Sequence, residues 1–374
     1  MKRNVNLDLM RVVAVLMVIF GHLPDAPREL PKAIVWVADF FRHYGGLGVD
    51  LFFVLSGFLV SGLLFREYFT QGRANVKRFL IRRGFKIYPA FYVFVVVTVL
   101  LRLRGGDTLT TRDVVSELLF IQNYGPHVWS HTWSLAVEEH FYLLLAAIVA
   151  ALLHWVPRNP LARIPKFFWL TTALVFAFRW WTIAHAPYST PTHRFPTHLQ
   201  IDSLFTGVVL AYYFYTRDSL AAFVRRFSLP LALAGLALVV LAQTISDPAT
   251  KYLAGHLMTN AGFAALVIVG VVAAPAFGAF GRAAAQVGAQ SYSIYLWHAA
   301  VLGIGGVAVE RFAGRPLTFL ETAAWYVPLS FICGVIAAKA VELPALRLRD
   351  RLFPDGRREA SLASVKAAKT ASVA

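Results

Sequence analysis

Two ionisable residues on one apolar stretch, Arg11 and His22, offer the first chemistry in this chain. Residues eleven apart at 100° each span three turns and 20°, so a helix there puts both side chains on one face. They are separated by about 16 Å along its axis. A guanidinium holds an anion, and an imidazole that titrates near neutrality takes a proton. Each residue alone has a plainer reading, with Arg11 reaching lipid phosphate and His22 closing a helix beside Pro24. Sharing one stripe, they read as the two ends of a reaction path.

Other polar groups sort by depth around that pair. Asp50 opens a second apolar segment after Tyr44-Gly45-Gly46-Leu47-Gly48, Trp133, Ser134, Glu138 and Glu139 open another, and Asp202 opens a third below His198 and Gln200. A carboxylate beside a histidine orients the ring and stabilises its protonated form. Glu138 or Asp50 is therefore expected to serve His22, with Trp133, Ser134 and Asp202 as substrate contacts. On the opposite side Arg78, Arg82, Arg83 and Lys86 precede Ile87-Tyr88-Pro89, and Arg347, Arg349 and Arg351 follow Glu342-Leu343-Pro344. Such a cluster suits a phosphorylated cosubstrate, with Glu342 ordering it by pairing with one of its cations. Ser291, Tyr295 and His298 fall at i, i+4 and i+7, on one face of a helix. Arg179, flanked by Trp180 and Trp181, reads as isolated, either snorkelling or over an aromatic ring, or equally a functional residue. Cys333 is the single cysteine, which excludes a disulfide scaffold and reads as a small hydrophobe. No metal is expected.

The elements that hold these groups must be membrane helices. Of 374 residues 58% are hydrophobic and only 15% charged, and the mean hydropathy is +0.59. That charge content is too low to coat a soluble domain of this size. Ten segments are long and apolar enough to be spans: 7–23, 48–65, 88–101, 133–156, 167–184, 198–215, 229–245, 256–276, 291–309 and 318–341. The first lacks a small-residue cleavage site and is broken by Arg11, so it reads as a retained helix rather than a signal peptide. With the amino terminus in the cytoplasm, inner segments hold 24 Lys and Arg against 10 outside. That bias fits the positive-inside rule and leaves both termini inside. The net charge of +16 is thus a topology signal, and a nucleic-acid partner is not expected. The expected fold is all-α and polytopic, with about ten transmembrane helices over 1–351 and a basic, disordered cytoplasmic tail over 352–374. Within the longest loop, 102–132, the stretch Val114–Gln122 is expected to lie in the interface or re-enter.

Chain physics alone leaves two classes open. A proton acceptor outside, an anion site inside and a polar stripe between them suit an enzyme passing a group from a cytoplasmic donor to an outer acceptor. They equally suit a transporter or exporter of an acylated or anionic metabolite, with a proton relay. The motifs separate the two. Arg11 to His22, Gly48-Val49-Asp50-Leu51-Phe52-Phe53-Val54-Leu55-Ser56-Gly57-Phe58, Thr132-Trp133-Ser134 through Tyr142, Asp202 to Gly207, Ser291 to His298 and Glu342-Leu343-Pro344 together resemble the acyltransferase 3 family of integral membrane acyltransferases. The resemblance runs from Leu7 to Arg351, with one departure. The family's Arg-x-x-Arg reads Arg83-Gly84-Phe85-Lys86 here, and lysine keeps the charge without the bidentate fork. The extracytoplasmic esterase-like domain that some relatives carry is not expected here. The resemblance implies transfer of an acyl group, most often acetyl, from acyl-CoA to a hydroxyl of an extracytoplasmic glycan or glycolipid, in the bacterial cytoplasmic (inner) membrane. On that reading His22 is expected to act as base, or else to become acylated and pass the group on, with Glu138 or Asp50 orienting it. Arg11, Arg82, Arg83 and Lys86 would hold the CoA, and Trp133, Ser134, Asp202, Tyr295 and His298 would line the substrate path.

Overall fold

The computed structural model describes residues 4–273 and 278–353. The tail expected beyond Phe353 lies outside them. Among the described residues the chain is helical, with no strand. Its helices are α1 (Val5–Gly21), α2 (Lys32–Tyr44), α3 (Leu47–Gln71), α4 (Val76–Arg104), α5 (Thr111–Leu118), α6 (Ser130–Trp155) and α7 (Pro160–His185). They continue as α8 (Ile201–Thr216), α9 (Asp218–Arg226), α10 (Ser228–Thr244), α11 (Pro248–Val272), α12 (Gly278–Gly288), α13 (Ser291–Ala313) and α14 (Phe319–Leu352). Local chemistry sets the ends. Asn4 and Asn75 cap α1 and α4 with their side chains, Thr110 with Asp113 and Thr318 with Glu321 form capping boxes, and Gly72 stops α3 at φ 70°.

Each of the ten apolar segments carries a helix. Among the described residues seven, α3, α4, α6, α7, α11, α13 and α14, are long and apolar enough to cross a bilayer. An eighth span arises if α9 and α10, bent by 85°, count as one. Helices α1 and α8, with 17 and 16 residues, are shorter. The chain is a polytopic membrane protein, and its lipid-facing flank carries Trp169, Leu170, Leu174, Trp180 and Trp181 exposed on α7. The stretch 114–122, expected to lie in the interface or re-enter, comprises the second half of α5, a short helix packed on α4 with Ser116 and Glu117 buried, and the turn after it.

Helix α3 is the axis of the bundle, and α8 lies against it with almost no gap. A Cβ on Gly57 would sit 1.9 Å from the Leu204 carbonyl oxygen, and one on Gly207 would sit 2.2 Å from that of Val54. Small residues facing each other let backbones touch where lipid supplies no hydrophobic drive. Phe53, Phe65, Phe141 and Phe205 fill the space around that contact. Because α3 is pinned there, its upper half can carry Asp50, Phe52 and Ser56 towards α1, α6 and α13. Overpacking this seam should cost at least about 1–3 kcal/mol. Gly57→Ala is therefore expected to lower the melting temperature in detergent, while Gly125→Ala, which meets nothing within 4 Å, should leave it unchanged.

Candidate active site

Two cavities meet inside the bundle. The first, about 150 Å³, opens among Arg11 of α1, Ser56 of α3, Arg83 and Lys86 of α4, Glu138 of α6 and Tyr292 of α13. The second, about 120 Å³, lies beneath His22, His131, Trp133 and Arg194. Val49 and Tyr295 line both, so the phenol of α13 stands at the join. Neither cavity could enclose a nucleotide, but the pair could hold a short acyl thioester and one hydroxyl partner.

The basic cavity is built by charge pairing. The Lys86 ammonium donates to Glu342, whose other oxygen accepts from the Ser293 hydroxyl at 2.7 Å. Glu342, 2% exposed, sits in a π-helical turn, Ala338–Glu342, that swings it inward from α14. The expected pairing of Glu342 with one of the clustered cations is thus met by Lys86, which leaves less of that ammonium for a ligand. Arg83 lies 5.9 Å from the Tyr142 ring centre, and its Nε is buried without a partner. Arg11 is held by Asp8 at 2.9 Å, and Arg82 reaches Asp350 at 3.9 Å without lining the cavity.

Carboxylates do not orient His22. Glu138 belongs to the basic cavity, where it accepts from the Ser56 hydroxyl at 2.7 Å and from the Tyr142 hydroxyl at 2.8 Å. Asp50 is buried and held by Arg194 at 2.9 Å. The His22 ring instead donates from Nδ1 to the Val18 carbonyl one turn back, at 2.8 Å. A carbonyl only accepts, so Nδ1 carries a proton, and in the neutral ring Nε2 keeps its lone pair. The α1 backbone itself fixes the tautomer that a general base needs. The expectation that Glu138 or Asp50 does so misjudged the depth of the first and the partner of the second.

Two further histidines pack around that ring. His298 lies 4.8 Å from it and His131 lies 4.9 Å from His298, centre to centre. His298 donates to the Tyr295 carbonyl and His131 donates from Nε2 to the Leu296 carbonyl at 3.1 Å, so in the neutral ring each keeps an acceptor at its other nitrogen. Tyr295 donates to the His131 carbonyl at 2.8 Å and accepts from Ser134 at 2.6 Å. Trp133 stacks on Phe195 at 5.2 Å. Ser134, Trp133 and Tyr295 thus gather at the join, while His298, expected on the substrate path, lines neither cavity and is buried behind the His22 and Tyr295 rings.

Asp202 does not. It is buried away from both cavities, paired with Arg179 at 2.8 and 3.1 Å, and the same guanidinium holds the Leu199 carbonyl. Arg179 is therefore not isolated. It is 0% exposed and faces the Tyr252 ring, whereas Trp180 and Trp181 point to lipid. Sequence reasoning missed His131, Arg194, Ser56 and Tyr142. The signal for His131 was its place two residues before Trp133, while Arg194 stands in a loop without any period.

Outside the spans, Glu117 is 0% exposed and accepts from the Val128 amide at 3.0 Å, and burial pushes its carboxyl up to about 7. Arg194 keeps its charge despite burial because Asp50 lies against it, which raises its pKa. Among the described residues no cluster of His, Cys, Asp and Glu could hold a metal.

A family described as an acyltransferase domain matches residues 4–340. Peptidoglycan O-acetyltransferase OatA of Listeria monocytogenes serovar 1/2a (strain ATCC BAA-679 / EGD-e) is 28% identical over 369 residues, covering 91% of this chain and 55% of the relative. O-acetyltransferase OatA of Staphylococcus aureus (strain NCTC 8325 / PS 47) is 26% identical over 318 residues, covering 78% and 49%. A putative O-acetyltransferase of Staphylococcus aureus (strain COL) is 26% identical over 334 residues, covering 79% and 50%. The chain spans about half the length of these relatives. No solved structure matches.

Two outcomes are expected. Asp202→Asn leaves a buried guanidinium unpaired and should cost about 3–5 kcal/mol in detergent unfolding. A carboxyl held protonated up to about 7 binds more protons folded than unfolded, so the fold loses stability as pH rises from its ordinary value through that point. Proteolysis of the 111–132 segment should therefore quicken as pH rises from about 4.5 to about 7, and Glu117→Gln should flatten that rise.

Proposed function

The chain belongs to the acyltransferase 3 family, and from that premise we propose that it passes an acyl group, acetyl foremost, from acyl-CoA to a hydroxyl of an extracytoplasmic glycan or glycolipid. The observation that carries this reading is the meeting of the basic and histidine cavities at Tyr295. The basic end faces the cytoplasm of a bacterial inner membrane, where Arg83, Arg11 and Lys86, with Arg82 at the rim, meet the phosphates and thioester arm of CoA. The acyl carbon stands at Tyr295, between Ser134 and the histidines.

His22 acts as general base. The acceptor hydroxyl gives its proton to Nε2 while its oxygen bonds to the acyl carbon, the C–S bond breaks, and the thiolate departs into the basic cavity. Ser134 donates to Tyr295 and Tyr295 to the His131 carbonyl, a chain that fixes both hydroxyls at the join of the cavities. Glu138 holds Ser56 and Tyr142, which shape the wall around Arg83. The names of the relatives support a glycan acceptor, that of the Listeria relative being peptidoglycan.

Membranes given acetyl-labelled acetyl-CoA and a glycan fraction test the reading. Covalent label on glycan is expected. Label that only crosses the membrane would favour the transporter. His22→Ala should cut transfer at least about 100-fold. Arg83→Ala should raise KM for acetyl-CoA more than it lowers kcat, and an unchanged dependence on acetyl-CoA concentration removes Arg83 from the donor site.

A further inference from the structure

Among the described residues only Val49 of α3 and Tyr295 of α13 line both cavities, so a group reaching from one to the other passes between an isopropyl group and a phenol. Neither side gives way. The Tyr295 hydroxyl is tied to Ser134 at 2.6 Å and to the His131 carbonyl at 2.8 Å, and its ring lies edge-on to Phe52 at 6.2 Å. Val49 stands in the first turn of α3, 7% exposed, and a β-branched side chain in a helix has essentially one rotamer. Its backbone is held too. A Cβ on the neighbouring Gly48 would come 2.4 Å from the Ala14 carbonyl oxygen, which sets α3 directly against α1 at this level.

Val49, Phe52, Phe53 and Ser56 fall at i, i+3, i+4 and i+7, on one face of α3, and all line the basic cavity. Phe53 is braced at right angles to Trp133, with ring centres 5.9 Å apart, so α3 meets the gap with an apolar ridge. Past Val49 the histidine cavity turns polar, with His22, His131 and Arg194 among its walls. Its volume of about 120 Å³ must take both the acceptor hydroxyl and the end of the acyl group. With the acyl carbon at Tyr295, the rest of the acyl chain faces Val49, the apolar group opposite. A methyl fits there. Each further methylene either presses on a wall that does not move or enters the space the acceptor hydroxyl needs.

Resting on the acyl-transfer reading above, we propose that Val49 sets the length of the transferred acyl group, holding it to acetyl. The chemistry is the same for every donor, a thioester broken and an ester formed, with the thiolate leaving into the basic cavity. What differs is bulk at the gap between Val49 and Tyr295, which a longer chain meets when the hydroxyl must already stand at His22. Selection therefore falls on kcat/KM for the acyl group, since the contacts of the CoA body are common to all acyl thioesters.

The test gives the whole protein in detergent an equimolar mixture of acetyl-CoA and propionyl-CoA, each acyl group with its own isotope label. A total glycan fraction is the acceptor, and the ratio of the two labels bound to glycan is read. Both donors compete in one sample, so partial loss of folded protein does not move the ratio. Acetyl should exceed propionyl by about 10-fold or more, the worth of one methylene in an apolar pocket. Val49→Ala should bring the ratio near one, Val49→Thr, which keeps the shape, should hold it, and Val49→Ile should raise it. Leu135→Ala, which enlarges the basic cavity alone, should leave it in place. A ratio near one in the unaltered protein, a ratio that Val49→Ala does not lower, or one that Leu135→Ala lowers as far, overturns the proposal. Should Val49→Ala transfer nothing, the ratio must rise in Val49→Ile and hold in Val49→Thr, and any other result overturns it. No label on glycan from either donor with the unaltered protein overturns the acyl-transfer reading itself.

Discussion

Charge pairing in a low-dielectric bundle governs this molecule. A lone ion between helices is expensive, and three cations here recruit a counter-ion from another element and tie the two together. Lys86 joins α4 to Glu342 of α14, Arg179 joins α7 to Asp202 of α8, and Arg194 joins the loop after α7 to Asp50 of α3. The first and third of these ties hold the walls of the two cavities, and the second locks α7 to α8 away from them. Where pairing stops, chemistry has room: Arg83 Nε and His298 Nε2 are buried beside the cavities without partners.

The same economy explains how His22 is prepared. A carboxylate would raise the basicity of the ring but would also bring a second charge into an apolar place. A backbone carbonyl fixes the tautomer without one. His131 and His298 repeat the device, so three rings in edge contact all present lone pairs and none is forced to carry a proton at rest. Close approach of α3 to α8 at Gly57 and Gly207 then holds α3 where Asp50 can restrain Arg194 and Ser56 can meet Glu138.

Apolar run length, caps and charge bias in the sequence determined that the chain is a bundle of membrane helices, because hydrogen bonding and hydropathy act locally along the chain. The stripe joining Arg11 to His22 was likewise legible, since helical periodicity places both on one face, and the structure puts one in each of the two adjoining cavities. What the tertiary structure alone decided is which helix faces which. Depth follows from position in a span, but rotation and neighbour do not. Glu138 and Asp50 therefore looked equivalent as partners for His22, and Asp202 looked like part of the same site. Packing turned Glu138 to Ser56, gave Asp50 to Arg194 and drew Asp202 to Arg179. The reason is geometric. A buried charge is satisfied by whatever opposite group lies within a few ångströms, and that distance is set by contacts between helices far apart in the chain.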